Sequence, residues 1–174
     1  VNTVYGDGRQ VCGPLMATGK IDCLAFIGSS RVADVLKAQH PKPHRLRSVL
    51  GLEAKNPAII LKDADLELAI RECALGALSF NGQRCTALKI LFVHTSIAEA
   101  FVDALSEAVG HFTSGMPWDD GVDLTPLPEP GKPAYLRDLV EDALKHGARI
   151  VNPGGGVVQS TFFSPAVLYP TKPG

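Results

Sequence analysis

The chain has 174 residues, 45% of them apolar and 20% charged, and a net charge of −1. That balance fits a globule of one domain or parts of two, and offers no basic surface for nucleic acid or acidic lipid. No apolar run approaches the roughly 18 residues of a membrane span. The first residues lack a charged segment leading into an apolar one, so no signal peptide is expected, and a start at Val1 predicts a processed chain or a fragment. Cys12, Cys23, Cys73 and Cys85 follow neither a zinc pattern nor a small disulfide scaffold. Reduced thiols in a cytoplasmic compartment are the expectation.

Strand-like and helix-like segments alternate along the chain. Residues 22–27 form a short apolar run closed by Gly28, which predicts a buried strand. Val32, Val35 and Leu36 then recur at helical spacing, and Pro41 and Pro43 end that helix because proline lacks an N–H and restricts the residue before it. Residues 45–50 and 58–61 read as strands. Residues 63–78 read as a helix whose face carries Leu66, Ala69, Ile70, Cys73, Ala74 and Ala77. Asp63 and Asp65 sit near its start, where the helix dipole favours negative charge, and Gly82 is a stop.

Residues 88–94 make the next strand. Ser96 and Glu99 have the spacing of a capping box for a helix carrying Phe101, Leu105, Val109 and Phe112. Residues 115–133 are rich in glycine and proline and read as a long irregular connection. Leu136, Leu139, Val140, Ala143 and Leu144 line a further helix, ended by Gly147. Residues 150–151 and 166–169 look like strands around the turn Gly154 to Gly156. This alternation implies α/β layers with mainly parallel strands.

The stretch FNGQRCTALK, residues 80–89, carries the most chemistry. A thiolate is nucleophilic, and a neighbouring cation such as Arg84 favours it at Cys85. Asn81-Gly82 lets the backbone turn tightly, so amides could face an oxyanion. The competing reading is a half-buried cysteine at a helix-to-strand junction. Cys73 lies on an apolar helix face and Cys23 in a buried-strand run, so both read as core residues. Gly28, Ser29 and Ser30 follow a strand and open a helix, which suits either a phosphate or an ordinary turn. None of His40, His44, His94, His111 and His146 pairs at metal-ligand spacing, so no metal is expected and all five read as structural or solvated; His146 suits a helix C-terminus. Lys132, Arg137, Asp138, Glu141 and Lys145 read as a solvated helix face.

Four stretches in order and spacing, VNTVYGDG, IDCLAFIGSSRV, LGLEAKNPAIILKDADLELA and FNGQRCTALKILFVH, resemble the aldehyde dehydrogenase superfamily. WDDGVDLTPL and YLRDLVEDALKHGA extend the resemblance over nearly the whole chain. Arg84 before the cysteine and the D-L-T-P-L segment most resemble the branch of non-phosphorylating NADP-dependent glyceraldehyde-3-phosphate dehydrogenases. The resemblance implies an aldehyde-dehydrogenase-like α/β fold. Residues 1–55 would be the C-terminal part of a Rossmann-like dinucleotide-binding domain, and 56–174 the first part of the catalytic domain.

It also implies chemistry. Cys85 would attack an aldehyde, pass hydride to NADP or NAD, and leave a thioester that activated water hydrolyses. Gly28 and Ser29 would lie on the pyrophosphate side and Val32 near the cofactor. Gly8 would line the adenosine side and Leu52 would meet the nicotinamide. Arg84 would favour a phosphorylated aldehyde such as glyceraldehyde 3-phosphate, or else serve in a structural ion pair. Lys55 and Asn56 read as residues that hold the interdomain turn and are assigned no chemistry.

Two departures from the family pattern stand out. Ala33 replaces the second glycine of the turn, and Gly51 falls where the catalytic glutamate is expected. Glu53 lies two residues on, about 6.6 Å along an ideal strand, and is the candidate base. A slow hydrolysis step would instead suit a coenzyme-A-acylating semialdehyde dehydrogenase, and a piece of about a third of a family member would suit an inactive fragment or binding scaffold. A small-molecule aldehyde is the expected partner, with a homo-oligomer for a full-length chain.

Overall fold

The computed structural model describes residues 1–171. The chain divides into two compact units, Val1–Ala54 and Lys55–Gly174.

The first unit is built on two parallel strands. Helix α1, Gly8–Ala17, is capped by Asp7, whose side chain accepts from the Arg9 amide at 2.8 Å. Strand β1, Cys23–Gly28, leads into helix α2, Ser30–Gln39, and a 3₁₀ turn at Pro43–Arg45 leads into β2, Arg47–Leu52. The strands pair in parallel from Cys23↔Arg47 to Gly28↔Leu52, with α2 in the crossover. Met16, Ala33 and Leu36 form the buried centre, with His40 beside them at 3% exposure. His40 Nε2 donates to the Ile21 carbonyl (3.0 Å) and Nδ1 accepts the Lys42 amide (3.1 Å), so one neutral tautomer satisfies both bonds.

Sequence reading missed α1, because Gly8, Gly13 and Pro14 all argue against a helix. Gly13 faces α2, where a Cβ would lie 3.1 Å from Gln39 Oε1 and a small shift of that flexible side chain would make room. The second strand begins two residues later than expected, since Pro43–Arg45 form the 3₁₀ turn. The buried-strand reading of Cys23 is corrected: Cys23, Ala25 and Ile27 are exposed and alternate with partly covered neighbours. Only one face of this strand is covered within its unit, and side chains alternate faces.

The second unit repeats the parallel pairing. Strand β3, Asn56–Ile60, pairs with β4, Leu88–Val93, and helix α3, Leu66–Leu78, forms the crossover. Helix α4, Ala98–Gly110, packs on α3. Ile60, Cys73, Ala74, Phe101, Leu105 and Val109 make the core between these elements. The start of α3 shifts from the expected 63 to 66, because Asp65 is its cap and accepts the Leu68 amide at 3.0 Å.

The capping box at Ser96 and Glu99 does not form. His94 Nδ1 takes the Ser96 amide at 3.2 Å, a 3₁₀ turn follows at Thr95–Ile97, and α4 starts at Ala98 with no side-chain cap. An irregular stretch leads to α5, Lys132–Lys145, which buries one side only, so Leu139 and Leu144 stay exposed at 50% and 41%. His146 closes it, with Nδ1 2.8 Å from the Asp142 carbonyl oxygen. Short antiparallel pairs complete the described residues: β5 (Arg149–Ile150) with β8 (Leu168–Tyr169), and β6 (Val158–Gln159) with β7 (Phe162–Phe163). The four longer strands are thus the parallel ones. No helix among the described residues is long and apolar enough to cross a membrane.

Candidate active site

The residues singled out in the first unit converge where β1 and β2 end. Gly28 pairs with Leu52, and Ser29 caps α2 by accepting the Val32 amide at 3.4 Å. A Cβ on Gly28 would lie 2.5 Å from Phe26 Cζ, so the strand end has room only for glycine unless that ring moves. Val32 is 44% exposed, whereas Ala33 is buried against the rest of the unit. Glu53 follows directly on β2. Its Oε2 accepts the Ser30 amide at 2.6 Å and its Oε1 the Ser30 hydroxyl at 3.0 Å. A carboxylate therefore sits on the N-terminus of α2, where the helix dipole and free amides favour an anion. Gly8 belongs elsewhere in the unit: it opens α1, with open space where a Cβ would point.

In the second unit everything turns on the connection from α3 to β4. After Leu78 the chain makes a 3₁₀ turn at Ser79–Gly82 in which Phe80 (φ 55°), Asn81 (φ 55°) and Gly82 (φ 66°) are all left-handed. Such a run costs non-glycine residues free energy, and Asn tolerates it better than Phe. Long-range bonds hold it: Asn81 Nδ2 donates to the Thr125 carbonyl (3.1 Å) and hydroxyl (2.9 Å), and Asn81 Oδ1 accepts the Thr125 amide (3.0 Å). Thr125 comes from the D-L-T-P-L segment. The next turn is closed by the Ala87 amide on the Arg84 carbonyl at 3.1 Å, and Cys85 lies on it, exposed. Ala87 is fully buried.

Side chains around this turn are already engaged. Asn56 Nδ2 donates to the Cys85 carbonyl at 2.6 Å and to the Ala87 carbonyl at 3.0 Å. Arg84 Nη2 donates to Ser79 Oγ at 2.5 Å, and its guanidinium lies 5.4 Å from the centre of the Phe80 ring. No carboxylate pairs with Arg84 among the described residues, so the structural ion pair considered from sequence is not there. Lys89 Nζ donates to the Ala87 carbonyl at 2.9 Å. Burial and then the charge of Lys55 push the Lys89 ammonium below the usual lysine range, while Cys85 pulls the other way. Sequence reading missed both Asn56 and Lys89 as neighbours of Cys85. The one available signal was Asn56 preceding Pro57 at a strand start, where a proline leaves a ladder donor missing. Cys73 matches its expectation: burial, then the charge of Glu72, raises its thiol above 9.0 and keeps it neutral.

Known proteins share the sequence pattern and the fold of this chain. The model of the aldehyde dehydrogenase family matches residues 1–174. An NADP-dependent glyceraldehyde-3-phosphate dehydrogenase of Streptococcus equinus is 36% identical over 86% of this chain and 31% of its own length. A vanillin dehydrogenase of Pseudomonas fluorescens is 32% identical over 97% of this chain and 34% of its own length. Among solved structures, the NADP-dependent glyceraldehyde-3-phosphate dehydrogenase of Bacillus halodurans C-125, complexed with NADP, superposes with a TM-score of 0.85 at 34% identity, covering 95% of this chain and 33% of that one. The chain thus spans about a third of the length of the relatives it matches. With every residue inside the family model and both units built from parallel strands joined by helices, the chain belongs to the aldehyde dehydrogenase family.

Proposed function

We propose that this chain carries the nucleophile and part of the dinucleotide site of an NAD(P)-dependent aldehyde dehydrogenase acting on a phosphorylated aldehyde such as glyceraldehyde 3-phosphate. The carrying observation is Cys85, exposed on a turn whose backbone is fastened from both sides. Its thiolate would add to the aldehyde carbon, and the resulting oxyanion would be met by the Cys85 amide. Loss of hydride from that carbon leaves a thioester on Cys85. Water then attacks the thioester, releasing the carboxylate and restoring the thiolate. The bound dinucleotide supplies the hydride acceptor.

Residues of the first unit fit such a cofactor. Ser30 already holds an anionic oxygen on its amide and hydroxyl, through Glu53, so this turn has donors suited to a phosphate. Gly28, Ser29, Val32 and Leu52 adjoin that turn in sequence or register and would contact the cofactor; Gly8, on α1, is assigned the adenosine side by family likeness alone. Arg84 supports the anionic substrate, since its charge is balanced by no carboxylate among the described residues.

Hydrolysis needs a base, and Glu53 is the candidate. To serve, its carboxylate must leave two hydrogen bonds at Ser30. The same observation, with Gly51 at the family's glutamate position, favours a second reading, transfer of the acyl group from the thioester to coenzyme A. By either route the activity is assigned to the protein expressed from the whole reading frame holding these residues; the isolated 174 residues are expected to be inactive.

The test follows reduced-cofactor absorbance with glyceraldehyde 3-phosphate and NADP, with and without coenzyme A, against Cys85→Ala. Turnover independent of coenzyme A, lost in Cys85→Ala and slowed about 10²–10⁴-fold in Glu53→Gln, supports hydrolysis with Glu53 as base. Turnover that requires coenzyme A supports the acylating route. No turnover with this or other aldehydes refutes the enzyme reading.

A further inference from the structure

Strand β3 starts with Asn56, and the next residue is Pro57, which has no N–H to give to the ladder. The register slips at that point: Asn56 pairs with Leu88 but Pro57 pairs with Ile90, so Lys89 is an extra residue on β4. A bulge of this kind bends a strand and re-aims what precedes it. What precedes β4 is the Cys85 turn.

The Asn56 side chain supplies the donors that the strand backbone lacks here. Its one carboxamide nitrogen spends both hydrogens on carbonyls two residues apart, Cys85 at 2.6 Å and Ala87 at 3.0 Å. Both partners are acceptors, so the orientation of the carboxamide is fixed by chemistry. Ala87 is fully buried and its carbonyl also takes the Lys89 ammonium, so that end of the bridge is anchored. Cys85 is exposed, and Asn56 makes the only side-chain hydrogen bond to its main chain among the described residues. The bridge ties an exposed turn to a buried point and sets the peptide plane that follows the Cys85 Cα.

We infer that Asn56 is a positioning residue for Cys85: by gripping the Cys85 and Ala87 carbonyls it fixes the direction in which Sγ meets the aldehyde. It touches neither substrate nor cofactor. The inference rests on Cys85 being the nucleophile. It differs from oxyanion stabilisation, because the Asn56 donors face the protein's own carbonyls.

The experiment uses the protein expressed from the whole reading frame, as wild type, Cys85→Ala, Asn56→Asp, Asn56→Ala and Asn56→Ser. The readouts are the rate of the first-turnover burst of reduced cofactor, KM, and the thermal melt of each protein. Asn56→Asp keeps the side-chain shape but turns lone pairs on two carbonyl oxygens. A misplacement on the order of 1 Å can cost about 100-fold. The burst rate is therefore expected to fall about 10- to 100-fold in Asn56→Asp and Asn56→Ala. KM should stay within about twofold, since uniform binding is untouched. Asn56→Ser, with one donor and a shorter reach, should fall between them and wild type.

Burst rates within about threefold of wild type in both Asp and Ala variants overturn the inference. So does a loss that matches the unfolded fraction at the assay temperature across the series, because Asn56 would then only hold the fold. A wild-type burst that disappears in Cys85→Ala but survives at Asn56 sinks this inference alone. Wild type that forms no reduced cofactor in the first or later turnovers sinks the reading of Cys85 and this inference with it; where turnover shows no burst, hydride transfer limits it and kcat is the rate compared.

Discussion

Asn81→Ala is expected to destabilise the unit that begins at Lys55 by about 3–5 kcal/mol, with Asn81→Gly about 0.5–1 kcal/mol milder. Three hydrogen bonds join Asn81 to Thr125, at 3.1, 2.9 and 3.0 Å. Each contributes about 0.5–1.5 kcal/mol net, and the partly buried setting leaves the Thr125 amide and carbonyl short of partners when they go. The backbone separates the alanine variant from the glycine one. Asn81 already carries a Cβ at φ 55° and ψ 29°, so the crowding of about 1–2 kcal/mol there is shared by alanine, which loses only the ease with which an asparagine side chain tolerates this region. Glycine escapes that crowding but gives back part of the gain through the greater freedom of its unfolded chain. The assay is urea unfolding of the whole-reading-frame protein followed by circular dichroism, with the slope checked for constancy. For a slope of about 1–3 kcal/mol per molar, a loss of this size moves the midpoint by about 1 M or more. Both variants within about 0.5 kcal/mol of wild type would show that the clamp adds nothing; an alanine variant more stable than the glycine one would show that the backbone argument is wrong.

Arg84→Ala should raise KM for a phosphorylated aldehyde about 10- to 100-fold, the worth of a charge-assisted hydrogen bond, and leave an uncharged aldehyde near wild type. Equal losses on both substrates would assign Arg84 to the turn it makes with Ser79 and Phe80. Cys73 should resist iodoacetamide in the native protein while the exposed Cys12, Cys23 and Cys85 are labelled, and should react once denatured. Its thiol is raised above 9.0 on folding, so its contribution to stability is complete below 9.0 and is lost as pH rises through the folded value. Cys73→Ala should therefore flatten the alkaline limb of the stability curve in a denaturant series at several pH values, and a limb of unchanged steepness would refute the assignment.

Helices with a regular apolar stripe were legible in the sequence because one face decides them. All six residues assigned to the α3 face are covered, as are Phe101, Leu105 and Val109 of α4. Helix α1 was not legible. It carries two glycines and an internal proline, and its stripe is reduced to Gly13 and Met16, so only the Asp7 cap and close packing on α2 mark it. The apparent capping box failed for a related reason. Ser96 and Glu99 have the right spacing, yet His94, two residues earlier, reaches the Ser96 amide first. Spacing lists the groups able to satisfy a helix end and leaves open which of them is nearest.

The candidate site divides along the same line. Asn81-Gly82 announced a tight turn, and Arg84 beside Cys85 suggested the charge, because both depend on neighbours in the chain. What holds the turn lies far away in sequence: Thr125 is 44 residues from Asn81, and Asn56 is 29 from Cys85. Such bonds follow no period, since each joins one side chain to one carbonyl or amide in another loop. They are nevertheless what an exposed turn residue such as Cys85 needs to keep a fixed position. A residue open to substrate lacks the close packing that fixes a core side chain, and its position must come from hydrogen bonds at the margins of its turn. Three left-handed residues before Cys85 and a bulge after it raise the demand further, because each would relax if its clamp were removed. The D-L-T-P-L segment and the Asn-Pro pair at the start of β3 are therefore best understood together, as the two supports between which the Cys85 turn is hung.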